Sequence, residues 1–125
     1  MYTLTVSRTF VAQHYLTVPD PGPEGQIHSH HFTVDATVEG QSLDEHGYVL
    51  NIETVESAMD ETVASFRDEL LNDLSAFEGM NPSCEHLART FGDELLNRID
   101  VSNVTGLTIA VTEDDIATVS HTRTL

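Results

Sequence analysis

Three histidines fall within four positions of the chain, at His28, His30 and His31, and His14 lies upstream of them. Alternate residues of a β-strand point to the same side, so His28 and His30 can bind one ion together while His31 faces away. Pairing of the segment that ends at His14 with the one that starts at His28 would supply a third ligand. Three neutral imidazoles with an open fourth position form a catalytic zinc arrangement. Spacing alone leaves open the alternative that all of them are solvated loop histidines.

The segments that carry these histidines alternate between apolar and polar residues, a pattern that predicts β-strands. Strands are predicted over about 3–11, 32–38, 107–112 and 116–122, and 48–50 is predicted as a short extended piece. The first two strands would therefore hold the histidines near their adjoining ends.

Apolar residues at spacings of three and four predict two helices, over about 52–71 and about 83–99. Asn51 and Ser83 are the expected N-caps, because their side-chain oxygens can accept N–H groups of the first turn. The order strand, strand, helix, helix, strand, strand predicts an α+β domain. In this arrangement two antiparallel helices cover one face of a four-stranded antiparallel sheet.

Length and composition bound what such a domain can do. A chain of 125 residues predicts one domain over 1–125, without a second. No apolar run approaches the ~18 residues of a membrane span, and the N-terminal stretch lacks the features of a secretory signal. The single Cys84 rules out an internal disulfide and fits a reducing compartment. We therefore expect a soluble, cytoplasmic protein with no membrane partner.

The charge is strongly acidic, with 21 Asp and Glu against five basic residues, all arginine, for a net −16. Phosphate neutralisation requires basic side chains, so this balance predicts no nucleic-acid partner. Acidic excess with ordinary apolar content is typical of proteins that work at high salt, where screening weakens self-repulsion. The composition thus predicts a halophilic source.

Four short motifs occur in order along the chain, FVAQH at 10–14, HSHHF at 28–32, NPSCE at 81–85 and VTED at 111–114. They resemble the F-x-A-x-H, H-G-H, N-P-T-S-E and V-x-E-T motifs of the 6-pyruvoyl-tetrahydropterin synthase and 6-carboxy-tetrahydropterin synthase family. The predicted order of strands and helices agrees with that family as well. The resemblance implies a T-fold, ββααββ, and a homo-oligomer, usually a hexamer, with pockets between subunits.

The resemblance also implies which residues form the site. Zinc is the implied cofactor, with His14, His28 and His30 as its ligands. Glu113 would bind the guanidine-like edge of a pterin, since a carboxylate accepts two parallel N–H bonds from such an edge. The remaining residues implied to line the pocket are Ser83, Cys84 and Glu85.

The sequence departs from the family where the chemistry is expected. The family's catalytic cysteine lies four residues before the first histidine of H-G-H, and here that position is Glu24. The family's Asp-His proton relay falls on or near Arg67 and Asp68, so its histidine is missing. His86 or His121 would have to replace it, with His121 the preferred candidate.

Glu24 has two interpretations. As a general base near zinc it would move a hydroxyl proton of the substrate's side chain. Some family members carry glutamate here and cleave dihydroneopterin in a retro-aldol reaction that gives 6-hydroxymethyl-dihydropterin. Alternatively, Glu24 is one more acid in the loop PDPGPEG.

The leading hypothesis is a zinc-dependent pterin lyase, cleaving a carbon-oxygen or carbon-carbon bond in the side chain of 7,8-dihydroneopterin or its triphosphate. The shortage of basic residues favours the unphosphorylated substrate, because a triphosphate needs a cluster of cations. The alternative is a catalytically silent, zinc-containing pterin- or purine-binding homologue. A metal-binding structural oligomer without a pterin is the third hypothesis.

Overall fold

The computed structural model, which describes residues 1–125, has four strands and two α-helices. Alternating apolar residues give the first three strands one buried face, whereas the last strand has no fully buried residue. The strands and helices follow one another as ββααββ, which confirms the predicted α+β architecture. The strands are β1 (Tyr2–His14), β2 (His28–Gly40), β3 (Gly106–Glu113) and β4 (Ala117–Thr124), and the helices are α1 (Ile52–Ala64) and α2 (Cys84–Leu96).

The four strands form one antiparallel sheet in the order β1-β2-β3-β4, so β1 and β4 are its edges. One face carries the apolar residues that pack with the helices. Three aromatic rings join the layers there, since Phe10 of β1 stacks on Phe66 and Phe91 with ring centroids 6.3 and 6.4 Å apart. The opposite face is polar and includes cross-strand threonine pairs, such as Thr5 with Thr37 at 2.7 Å.

Helix α1 is shorter than its apolar periodicity predicts, because it ends at Ala64 and not near residue 71. The chain turns away at Asp68, whose φ is +61°, and then runs beside the end of β1. The Asp68 N–H donates to the Val11 carbonyl at 2.7 Å, and the Gln13 N–H donates to the Glu69 carbonyl at 2.9 Å. These hydrogen bonds to a sheet edge replace the helical ones, so tertiary contacts override the periodicity.

The other boundaries differ less. Helix α2 ends at Leu96, about three residues before the predicted limit. Strands β1 and β2 each extend by several residues, as far as His14 and from His28. Residues 48–50 form no strand, and residues 49 and 50 lie in a bend. No helix has the length and apolar character needed to cross a membrane.

Candidate metal centre and pocket

The pairing register of β1 and β2 brings the three histidines together. His14 lies directly opposite His28, and Ala12 lies opposite His30, so all three imidazoles share the sheet face that packs on the helices. Their ring centroids are 4.6 to 5.0 Å apart. One potential ligand nitrogen from each ring lies within 4.8 Å of the other two. His31, next to them in sequence, points to the opposite, exposed face.

Each of these rings has its Nδ1 beside an oxygen acceptor. His14 Nδ1 lies 2.9 Å from the Pro82 carbonyl oxygen and His28 Nδ1 lies 2.7 Å from that of Gln26, while His30 Nδ1 contacts Asp114 Oδ2. An oxygen without a proton can only accept, so Nδ1 carries the hydrogen and Nε2 carries the lone pair.

The Nε2 atoms fit a metal. Those of His28 and His30 are buried and have no hydrogen-bond partner. Buried polar atoms are nearly always satisfied, and two unpartnered ring nitrogens close to each other are a donor set that could hold a metal ion. Three imidazoles whose other nitrogens donate to oxygens are the donor set that zinc takes in catalytic sites.

His14 lies deepest of the three, with only 3% of its surface exposed. Burial lowers its pKa below the ordinary value of 6.5, and the neighbouring His28 and His30 add to this effect. The lowered pKa keeps the imidazole neutral near pH 7, which is the form that binds metal.

A pocket of about 210 Å³ adjoins the histidines and contains most of the predicted site residues. Glu24 lines this pocket and belongs to a short 3-10 turn, Gly22–Gly25. A hydrogen bond from the Leu16 N–H to the Glu24 carbonyl, at 2.8 Å, fixes the turn beside the end of β1. A carboxylate oxygen of Glu24, a nitrogen of His30 and a carboxylate oxygen of Glu113 all lie within 4.8 Å of one another. The pocket is lined by His14, Leu16, Glu24, Asn81, Ser83, Cys84, Glu85 and Glu113.

Cys84 and Glu113 form a direct pair in this pocket. The thiol donates to Glu113 Oε2 at 2.9 Å, and Glu113 Oε1 lies 3.4 Å from His30 Nε2. Burial raises the pKa of Cys84 strongly, and the hydrogen bond to the Glu113 carboxylate raises it further. A protonated thiol is a poor nucleophile and base, which argues against Cys84 as a substitute for the family's catalytic cysteine.

The segment 81–85 joins the start of α2 to the end of β1. Ser83 caps the helix, as predicted, by accepting the His86 N–H at 3.1 Å. Asn81 Oδ1 accepts the Thr17 N–H at 2.8 Å, and the Pro82 carbonyl holds His14 as described above. These bonds set Cys84 and Glu85 against the histidines.

The two relay candidates lie outside the pocket of a single chain. Asp68 is exposed at the turn after α1. His121 lies on β4 opposite Ile109, with its Nδ1 3.4 Å from Arg123 Nη2. Neither residue lines the space around Glu24. His86, the other histidine considered for the relay, has its Nδ1 2.6 Å from the Asn81 carbonyl oxygen.

Asp114 is a site residue that the sequence analysis did not single out. Its Oδ1 accepts the His31 N–H at 2.8 Å, and its Oδ2 accepts from the His30 ring. These two bonds, the His31 amide first, lower the pKa of Asp114. The available signal was an acid directly after Glu113, at a position where the V-x-E-T motif has threonine.

Comparison with known proteins places the chain in a family. A family model described as 6-pyruvoyl tetrahydropterin synthase matches residues 3–124. The chain belongs to this family. No curated protein matches the sequence significantly.

Solved structures agree with the family's T-fold. The 6-pyruvoyltetrahydropterin synthase of Plasmodium vivax superposes with a TM-score of 0.83 at 13% identity, covering 99% of this chain and 98% of that one. The Caenorhabditis elegans enzyme gives 0.78 at 18% identity, covering 99% and 95%. A dihydroneopterin aldolase from Burkholderia thailendensis, bound to guanine, gives 0.51 at 12% identity, covering 99% and 91%. The predicted T-fold is therefore confirmed.

Proposed function

We propose that this protein is a zinc-dependent pterin enzyme that cleaves the side chain of 7,8-dihydroneopterin, with Glu24 as the general base. The observation that carries the proposal is the position of Glu24. Its carboxylate lies within 4.8 Å of both His30 and Glu113, beside two buried imidazole nitrogens that lack a partner. A base must reach the proton that it removes, and this placement meets the requirement.

In this proposal His14, His28 and His30 hold the zinc through Nε2. A zinc ion supplies Lewis-acid polarisation of substrate hydroxyl groups and stabilises developing negative charge on oxygen. Glu113 accepts the N–H groups of the pterin's 2-amino-4-oxo edge, for which the Cys84 thiol must give up its place on Oε2. The ring is thereby oriented with its side chain towards the histidines.

Glu24 then removes the proton of the hydroxyl on the second carbon of the side chain. The bond between the first and second carbons breaks, the second and third carbons leave as glycolaldehyde, and the electron pair stays on the first carbon, which is attached to the pterin ring. Protonation of that fragment gives 6-hydroxymethyl-dihydropterin. Glu24, which lines the pocket and now carries the abstracted proton, is the acid that we assign to this second transfer.

Two related structures support these assignments. In the Plasmodium vivax synthase a glutamate is a catalytic residue, since its replacements by alanine and by cysteine are both described as catalytic residue mutants. The Burkholderia aldolase binds guanine, which has an amino-oxo edge of the same kind as a pterin. A catalytic glutamate in one relative and a bound amino-oxo ring in the other support the roles that we propose for Glu24 and Glu113.

The arginines favour an unphosphorylated substrate over the triphosphate. Arg8 pairs with Asp60 at 2.7 Å, Arg98 with Glu94 at 3.1 Å and Arg123 with Asp93 at 2.6 Å. None of the five arginines lines the pocket. A triphosphate would enter an acidic site without a cation from this chain, whereas the neutral side chain of dihydroneopterin meets no such repulsion.

The second candidate is a pterin- or purine-binding protein without catalysis. It is favoured by the absence of any second proton-relay residue from the pocket lining, apart from the glutamates themselves.

Both candidates predict a homo-oligomer, and the family resemblance predicts a hexamer. β4 and the part of β1 before Val11 are sheet edges without a partner in this chain, and they are available for pairing between subunits.

The test combines metal analysis with product analysis. Dialysed protein should retain about one zinc per chain, and it should convert dihydroneopterin, but not the triphosphate, to 6-hydroxymethyl-dihydropterin. Glu24→Gln should lower turnover at least about a hundredfold while zinc content stays constant. Asp20→Asn is the matched control, because Asp20 is an acid of the same loop outside the pocket, and it should leave turnover unchanged.

Turnover that survives Glu24→Gln would remove Glu24 from the mechanism. Binding of dihydroneopterin without turnover in the wild type would favour the silent homologue. A dialysed protein without zinc would contradict both candidates.

A further inference from the structure

We infer that Asp114 is a positioning residue for His30, holding its imidazole so that Nε2 faces the proposed zinc and strengthening that bond. The inference rests on the proposed metal centre but goes beyond it, since it concerns a residue outside the ligand set. It also gives a physical reason for an aspartate at the tip of the β3–β4 hairpin.

The hairpin turn holds Asp114 firmly against β2. Asp114 and Asp115 have φ values of +51° and +59°, a region that aspartate tolerates better than most residues, and the Ile116 N–H closes the turn on the Glu113 carbonyl at 2.9 Å. The Asp114 N–H donates to the His31 carbonyl at 2.8 Å, and Oδ1 accepts the His31 N–H at 2.8 Å. With one oxygen engaged by the backbone, the other is directed to the His30 ring.

His30 differs from the other two histidines in the charge of its acceptor. His14 and His28 donate to the neutral backbone carbonyls of Pro82 and Gln26. His30 alone of the three donates to a carboxylate. An anionic partner at one ring nitrogen raises the basicity of the other, and such partners fix both the tautomer and the orientation of a ligand. Loss of Asp114 should thus weaken the metal centre through His30.

The test is zinc affinity, measured by competition with a chromophoric chelator at fixed pH and ionic strength. Asp114→Asn keeps the side chain's shape but offers only one oxygen, so the ring N–H or the His31 N–H faces an amide NH₂. We expect zinc to bind about tenfold more weakly to this variant. That is the lower end of the usual loss of affinity when a residue that supports a metal ligand is replaced, because Asp114 is exposed.

Asp115→Asn is the matched control. It removes the same charge from the adjacent residue of the same turn, also at positive φ, but the hydrogen bond to the His30 ring comes from Asp114 and not from Asp115. Its zinc affinity should stay within about twofold of the wild type. The visible spectrum of the cobalt(II)-substituted protein should change in Asp114→Asn and not in Asp115→Asn, which a general loss of stability would not produce.

A second variant, Asp114→Gly, keeps the test informative if Asp114→Asn folds poorly, because glycine adopts a positive φ without strain. It leaves the His30 ring N–H and the His31 N–H without their acceptors. It should bind zinc at least as weakly as Asp114→Asn. Wild-type affinity in both Asp114 variants, or an equal loss in Asp115→Asn, would overturn the inference. A wild-type protein that binds no zinc would instead contradict the proposed function, so the two failures are distinct.

Discussion

Cys84 is the only thiol of the chain, and its surroundings make it a hydrogen-bond donor. It is the first residue of α2, and it donates to the carboxylate that we assign to pterin binding. Its place in NPSCE is that of serine in the family's N-P-T-S-E, and a hydroxyl could donate in the same way. At the scale of single residues, the proposed function therefore gives the reactive role to Glu24, and Cys84 contacts Glu113 as a hydrogen-bond donor.

We predict that the Cys84 thiol of the folded, metal-free protein reacts slowly with a thiol reagent at pH 8. Its raised pKa leaves little thiolate, so the rate should be at least about a hundredfold below that in guanidinium chloride. Reaction kinetics with a chromogenic disulfide measure both rates. Glu113→Gln removes one cause of the raised pKa and should speed the folded-state reaction. Equal rates in the folded and unfolded states would contradict this account.

A local interaction determines where helix α1 begins, and tertiary contacts determine where it ends. It begins where the sequence predicts, since Asn51 Oδ1 accepts the Glu53 N–H at 2.8 Å and the Thr54 N–H at 3.4 Å. It ends earlier than predicted, because the following residues bond to the edge of β1. An N-cap is a short-range interaction, whereas the sheet edge is brought near only by folding.

We predict that Asn51→Ala lowers the free energy of unfolding by about 1 kcal/mol, because two N–H groups of the first turn lose their acceptor. Urea unfolding followed by circular dichroism measures the change. Asn51→Asp keeps the acceptor and adds a negative charge at the helix N-terminus, so it should be at least as stable as the wild type. A loss of the same size in both variants would show that the cap is not the cause.

Charge dominates the molecule as a whole. A net −16 on 125 residues repels other copies of the same chain, although the family resemblance predicts an assembly. The sheet offers β4 and the part of β1 before Val11 as edges without a partner, and its outer face carries threonine pairs. Association is therefore a balance between edge pairing and electrostatic repulsion.

We predict that this balance makes the oligomer depend on salt. The screening length falls from about 10 Å at 0.1 M salt to about 3 Å at 1 M, so repulsion between subunits weakens steeply. Light scattering after size exclusion should give a larger molar mass in 2 M potassium chloride than in 0.05 M. A molar mass of one chain at both concentrations would contradict the predicted homo-oligomer, and a smaller mass at high salt would contradict the electrostatic explanation.

The sequence by itself was sufficient for the fold class. Strand alternation placed His28 and His30 on one side and His31 on the other, and pairing of the first two strands placed His14 beside them; such features have a short period, so residue types alone reveal them. Glu24 and Glu113 were implied only by the resemblance to a family, and their roles stay predictions.

Only the tertiary structure decided what surrounds those residues. The acceptors on the histidine rings include the Pro82 carbonyl and the Asp114 carboxylate, 68 and 84 positions away from their partners. A backbone carbonyl is present at every residue, so no residue type marks the one that will orient a ligand. The end of α1 was decided in the same way, by hydrogen bonds to the edge of β1 that exist only once the sheet has formed.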